Sequence, residues 1–343
     1  MSPSIRFPEF TGEWEKCKIE DITDAVSSGK SKNHFSNGEY NLYGSTGIIG
    51  RTDKALYDGK LVLVARVGAN AGFLQIINEP CGITDNTLIL KPKGIDAFYL
   101  YYFLQHFNLN RLIFGSGQPL ITGGMLKKVK VSLGTISEQS KIVKFLSLLD
   151  ERIAVQSRLI DRLQSLMIGI AQKIAHSNKP NVRISDCLEC SSSALQESEV
   201  NKTGKYPVYG ANGIVGYIDK YHTQNEAIYI IKDGSGVGGV SYVTGKCSST
   251  GTLNILQAKN GHSLKYLYYL LKVFNFVPYK TGMAIPHIYF KDYGKAKIFC
   301  PAYPEQLEYA KLLSSIDGNL RIALDSLKNF NLQKQYLLRH MLI

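Results

Sequence analysis

The strongest constraint on this chain is that its pattern is written twice. Residues 40–50 read Tyr-Asn-Leu-Tyr-Gly-Ser-Thr-Gly-Ile-Ile-Gly, and residues 206–216 read Tyr-Pro-Val-Tyr-Gly-Ala-Asn-Gly-Ile-Val-Gly, an offset of 166. At that offset the apolar run 61–64 meets 227–230, and Gly68 and Gly72 meet Gly234 and Gly238. The run Thr84-Asp85-Asn86-Thr87-Leu88 corresponds to Thr250-Gly251-Thr252-Leu253 with one residue deleted. The aromatic stretch 99–104 then matches 266–271, and Ser137-Glu138-Gln139 matches Pro304-Glu305-Gln306, now at an offset of 167. An ordered correspondence of this length means that the function needs two similar modules in one chain.

Each copy has two parts. The first is rich in Gly, Tyr, Val and Ile, in short apolar runs broken by turn residues, and predicts a mostly β module. A short helix is expected around residues 99–107 and 266–274. The second part predicts a long helix. In the first copy its apolar positions are Ile142, Leu146, Leu149, Ile153, Ile160, Leu163, Met167, Ile170 and Ile174, spaced alternately by four and three with one skip at Gln156. The second gives Tyr309, Leu313, Ile316, Leu320, Ala323, Leu327, Phe330, Leu337 and Met341, with Lys334 where the first has Met167. This is a heptad seam. A helix from 138 to 175 would span about 57 Å, and its single stripe cannot be buried alone. The expected solution pairs the two helices antiparallel about a pseudo-twofold axis, with a β module at each end. The fold class is therefore α+β: two mostly β modules (1–136 and 177–303), each followed by a spacer helix (137–176 and 304–343).

The formal net charge of +12 favours an anionic partner, nucleic acid before an acidic membrane surface. The excess lies on the β modules: 15 Lys/Arg against 12 Asp/Glu in 1–136, and 14 against 8 in 177–304. The helical segments are near neutral, as suits a spacer or a protein-docking face. No run of 18 apolar residues exists, so no membrane-spanning helix is expected; no membrane is expected among the partners, and the opening residues lack a signal-peptide core, which points to the cytoplasm.

Familiar catalytic patterns are missing. Gly29-Lys30-Ser31 ends like a phosphate-binding loop, but Asp24 stands where the first glycine belongs. No Asn/Asp-Pro-Pro-Tyr/Phe run marks an amino-methyltransferase pocket, and no convincing carboxylate-carboxylate-lysine set marks a nuclease. The seven histidines do not pair at ligand spacing, and the lone Cys187-x-x-Cys190 lacks a second pair, so no metal centre is expected. The run 234–239 fits Gly-x-Gly-x-x-Gly, but Val240-Ser241-Tyr242-Val243-Thr244 follows it. A dinucleotide site needs that turn to open a helix, so a strand-turn-strand is expected instead.

Glycine turns also suit DNA, because bare backbone approaches phosphates while neighbouring side chains reach base edges. In the first module Arg66 and Asn70 flank such a turn, and these residue types pair bidentately with guanine and adenine. Lys232 holds the place of Arg66, and Ser235 lies in the matching turn beside Gly236, which holds the place of Asn70. The upstream turns offer Tyr43, Ser45, Thr46 and Arg51 against Tyr209, Asn212 and Tyr217. Later loops add Gln118 and His287, and Lys127, Lys128, Lys291, Lys295 and Lys297 suit phosphate contact. Residues that differ at matched positions are the better specificity candidates, because two modules reading different sites must share a frame and differ at its tips.

The order of module, helix, module and helix resembles the specificity subunits of type I restriction–modification systems. The resemblance rests on Phe7-Pro8-Glu9-Phe10 with Trp14-Glu15, the two Tyr-Gly-x-x-Gly-Ile-x-Gly turns, the run 84–88, and the Glu-Gln helix starts at 138 and 305. It implies two target recognition domains, each reading one half of a split double-stranded DNA site. It implies an antiparallel coiled coil that sets the interval and docks two methyltransferase subunits, through which restriction subunits join. It also implies that this chain catalyses nothing: S-adenosylmethionine, ATP and Mg²⁺ belong to the partners. The second module departs from the pattern, lacking the Trp in its opening 182–186 and reducing the run 84–88 to Thr250-Gly251-Thr252.

Overall fold

The computed structural model describes residues 3–32, 37–113, 119–176 and 179–342. In the first module the run Lys60–Ala65 is one of the two inner strands of an antiparallel sheet ordered Thr23–Ser28, Thr87–Pro92, Lys60–Ala65, Leu74–Asn78. Its residues 61–65 are all buried, as an uninterrupted apolar run requires when both faces are covered. A three-stranded sheet stands beside it in the order Gly47–Thr52, Tyr40–Gly44, Cys81–Ile83, and Glu15–Lys18 pairs with Lys130–Leu133.

The second module repeats this sheet for sheet. Its four strands run Leu188–Ser192, Leu253–Ala258, Glu226–Ile231, Val240–Thr244. Its three run Gly213–Ile218, Tyr206–Gly210, Ser248–Ser249, and Val182–Arg183 pairs with Lys297–Ile298. The glycine-rich run 234–239 joins the paired strands Glu226–Ile231 and Val240–Thr244, so it is the expected strand-turn-strand.

The short helices are Ala97–Phe107 and Leu264–Val273. Asp96 caps the first by accepting from the backbone N–H of Phe98 (2.8 Å), and Ser263 caps the second by accepting from that of Tyr266 (3.3 Å). The repeated Glu-Gln pair explains itself here. Gln139 accepts from the Asp96 N–H (3.1 Å) and donates to the Gly134 carbonyl (3.0 Å). Gln306 does the same with the Ser263 N–H (2.8 Å) and the Pro301 carbonyl (2.8 Å). Both glutamines are buried, so each clamps the first turn of a long helix to the cap of its module's short helix.

The long helices are Ile136–His176 and Tyr303–Met341. By packing, the chain divides into one unit of residues 1–157 and 326–343 and another of 158–325. Each unit thus takes a segment from both helices. In the first, Ile142, Leu146 and Leu149 share one buried cluster with Leu337, Leu338 and Met341, and with Trp14, Tyr99 and Phe103 of the β module. Ile153, Leu327 and Phe330 are half-buried. In the second, Ile160, Met167, Leu313, Ile316 and Leu320 are buried, with Leu163 and Ile170 half-buried. There Met167 and Ala171 line one cavity with Leu320 and Tyr269. The start of one helix meets the end of the other in the first unit, and the converse holds in the second, which is antiparallel pairing.

Lys334 interrupts the seam with a polar lock. It lies 2.6 Å from Asp150 and stacks over the ring of Tyr102, whose hydroxyl donates to Asp150 (2.8 Å). The first unit also holds a buried Glu138, paired by the Arg6 Nε and Nη2 (2.6 and 2.9 Å) and by the indole N–H of Trp14 (3.1 Å). Trp14 of the opening and Arg6, which precedes its Phe-Pro-Glu-Phe run, thus converge on one buried carboxylate.

The clamp gives a direct test. Gln306→Ala leaves a buried N–H and a carbonyl unpaired and should lower stability by about 1–3 kcal/mol, read from urea unfolding. A change within error would show that the glutamine carries no structural load.

Candidate nucleic-acid interface

Four segments of the first module are tied into one loop cluster. Arg66 N–H and Ser45 Oγ both donate to the Asn86 carbonyl (2.9 and 3.3 Å). Gln75 Nε2 donates to the carbonyls of Gly44 and Ser45 (2.9 and 3.2 Å). Gly68 N–H donates to the Pro119 carbonyl (3.0 Å), and Ile121 N–H to the Arg66 carbonyl (2.9 Å). Gly68 and Gly72 have φ of 82° and 87°, the left-handed region that favours glycine. A side chain at Gly72 would also press on Leu109 Cβ at 3.2 Å, so the turn sits directly on the segment that follows the short helix.

The second module repeats the three backbone bonds of this frame, while Ala211 and Ser241 stand where Ser45 and Gln75 supply the side-chain ties. Lys232 N–H donates to the Thr252 carbonyl (3.0 Å), Gly234 N–H to Pro286 (3.0 Å) and Ile288 N–H to Lys232 (2.9 Å). Gly238, φ 90°, would press on Phe276 Cβ at 3.1 Å.

The tips differ. Thr46, Asn70, Asp85 and Asn86 are exposed on the first cluster, and Asn212, Ser235, Thr252 and Ile285 on the second. Where the first module bridges Val67 to Leu120, the second bridges Asp233 to His287, with His287 Nδ1 2.7 Å from Asp233 Oδ1. Arg66 is half-buried, and its Nε is shut from solvent with no hydrogen-bond partner among the described residues. Lys232 is half-buried at the matching place.

Not every sequence candidate belongs to these clusters. Tyr43 donates its hydroxyl to Glu79 Oε1 (2.6 Å), which also accepts from Asn41 (2.8 Å). Burial and that carboxylate push the Tyr43 phenol up to about 12. Its counterpart Tyr209 packs edge-on against Tyr229 within the module core. Both tyrosines therefore brace the hairpin. Arg51 and Tyr217 are exposed, but they lie four residues from the hairpin turn on an edge strand, about 13 Å along it. Lys291 sits on the short helix Phe290–Tyr293, its ammonium 5.3 Å from the Tyr289 ring centroid. Gln118 lies outside the described residues. Asn86 and Thr252 were not among the candidates, although both fall in the duplicated run 84–88 and its counterpart.

A profile of the type I restriction modification DNA specificity domain matches this chain twice, over residues 11–165 and 177–329. The chain belongs to that family. Among curated relatives, a type I restriction enzyme specificity subunit of Haemophilus influenzae is 25% identical over 35% of this chain, and the EcoprrI specificity subunit of Escherichia coli is 28% identical over 32%. The matched stretches span 32% and 28% of those relatives. The fold matches a solved type I restriction–modification S subunit from M. genitalium with a TM-score of 0.76 and 19% identity, over 100% of this chain and 99% of that one. A chain from a structure on assembly and conformational transition of a type I system matches with a TM-score of 0.56 and 14% identity, over 96% and 97%. Among the described residues no helix is long and apolar enough to cross a membrane.

The split between braces and tips is testable. Tyr43→Phe should lower stability by about 1 kcal/mol through loss of the Glu79 bond and leave DNA sequence preference unchanged. A changed preference would return the hydroxyl to the reading set.

Proposed function

We propose that this chain is the non-catalytic, sequence-reading subunit of a type I restriction–modification complex. The observation that carries the reading is a single loop frame, built twice with the same backbone bonds and tipped with different side chains. A duplicated frame with identical tips would suit a repeated site. One with different tips suits two unlike half-sites on double-stranded DNA.

In this reading Arg66 and Asn70 approach base edges in one half-site, with Ser45, Thr46 and Asn86 beside them. Arg66 matches guanine and Asn70 adenine. The Arg66 Nε, without a partner among the described residues, gives its guanidinium a reason to seek an acceptor. Asn212, Lys232 and Ser235 serve the other half-site. The basic residues Lys127, Lys128, Lys291, Lys295 and Lys297 neutralise phosphates and hold the register. The long helices fix the interval and dock two methyltransferase subunits, through which restriction subunits join. S-adenosylmethionine, ATP and Mg²⁺ act in those partners, and the adenine to be modified is turned out of the duplex by them.

The test is selection from a random duplex library with the assembled methyltransferase complex. The expected motif has two specified halves. Arg66→Ala should relax one half only, by about 1–3 kcal/mol at the affected base pair, and Ser235 or Lys232 substitutions should affect only the other. A substitution that altered both halves alike, or neither, would contradict the assignment.

A further inference from the structure

The second module carries a buried cluster that DNA reading does not use. The Cys187 Sγ, a ring nitrogen of His262 and the Cys300 Sγ all lie within 4.8 Å of one another. Cys187 and Cys300 are buried, and His262 is half-buried. The Nδ1 of His262 is shut from solvent and has no hydrogen-bond partner among the described residues. The three residues are far apart in sequence, so local spacing could not reveal them.

Each is held by backbone. Cys187 ends the short helix Ile184–Cys187, and its carbonyl accepts from the Lys259 N–H (2.9 Å). Cys300 is gripped by Asn181, which donates to its carbonyl and accepts from its N–H, both at 2.8 Å. His262 directly precedes Ser263, the residue clamped by Gln306.

The duplication supplies a control within the same chain. The Val182–Ile298 pairing repeats the Cys17–Val131 pairing, and the Ile184-to-Ala296 bond repeats the Ile19-to-Val129 bond. The two glutamine clamps align Ser263 with Asp96. In this register Cys187, His262 and Cys300 replace Ile22, Ile95 and Leu133, which pack in the apolar core of the first module. Buried cysteines alone are ordinary small apolar residues. They do not explain why all three positions change together, nor why an imidazole with an unpaired buried nitrogen faces two thiols.

We infer that Cys187, His262 and Cys300 form a binding site for a thiolate-favouring divalent cation, with Zn²⁺ as the expected occupant. Two thiolates and a neutral imidazole cancel the dication's charge, which suits a buried setting. A tetrahedral Zn²⁺ holds its ligand atoms about 3.4–3.8 Å apart, so closing the site takes a contraction of at most about 1 Å. On binding, the two thiols release their protons to solvent. The fourth position falls to water or to a group from outside the trio. The ion would fasten the opening of the second module, the cap of its short helix and the entry to the second long helix, a junction that the first module closes with aliphatic side chains.

The experiment measures zinc in the full chain, purified under a phosphine reductant, and records the absorption of its Co²⁺-substituted form. About one equivalent of zinc is expected, with thiolate-to-cobalt charge transfer and tetrahedral d–d bands. Removal by a chelator should lower the melting temperature. The variant Cys187→Ile, His262→Ile, Cys300→Leu copies the first module; it should bind no metal at this site and melt independently of chelator. Should that variant fail to fold, His262→Cys should keep the metal and strengthen the charge-transfer band. Zinc-free protein whose melting ignores added Zn²⁺, a zinc content unchanged in the triple variant, or a cobalt spectrum unaltered by His262→Cys would each overturn the inference.

Discussion

Burial of the two helical seams is the constraint on which the rest depends. A long helix with one apolar stripe is not stable by itself, and most of its stability must come from packing. Here each packed unit draws a segment from both long helices and closes it against one β module. The helices are thus part of each module's core. From there the positioning runs outward through named contacts. The glutamine at each helix start fixes the cap of the short helix, the segment after that helix lies under a glycine of the 66–72 or 232–238 turn, and the turn carries the candidate reading residues. Side chains meant to reach base edges need such support, because a rigid scaffold lets loops hold precise positions.

The two copies differ at places that have distinct physical meanings. At the tips, Asn70 and Arg66 stand against Gly236 and Lys232, a difference that suits reading different sequences. In the seam, Lys334 with Asp150 and Tyr102 stands where the other copy has Met167 with Asp317 and Tyr269. Both copies carry the aspartate and the tyrosine, and only one carries the cation that joins them. At the module opening, Glu138 with Arg6 and Trp14 has no counterpart, since Glu305 is exposed and receives the Tyr309 hydroxyl instead. What the copies share is the backbone bonding of the frame.

Much of this was legible in the residues because repetition and periodicity are linear signals. The seam from Ile142 to Leu337, the strand-turn-strand at 234–239 and the Glu-Gln helix starts could all be read in that way. Other features depend on what a side chain meets in three dimensions. Tyr43 and Thr46 sit three residues apart in one hairpin and look equally suited to DNA, yet Glu79 engages the first while the second stands exposed. Asn86 lay in a recognised repeat, but its place beneath Arg66 and Ser45 comes from strands distant in sequence. The Cys187–His262–Cys300 cluster escaped for the same reason. Packing also divides both long helices in mid-length: the first beside Gln156, where its seam skips a position, and the second between 325 and 326, where the periodicity gives no cause to expect it.

The central claim is that two differently tipped copies of one frame confer a two-part DNA specificity. The most direct measurement is a genome-wide map of methylated adenines in a host carrying the partner methyltransferase subunit, with and without this chain. The account predicts a motif of two specified halves separated by a fixed gap, present only when the chain is present. Methylation that persists without the chain, or a single uninterrupted motif, would contradict it.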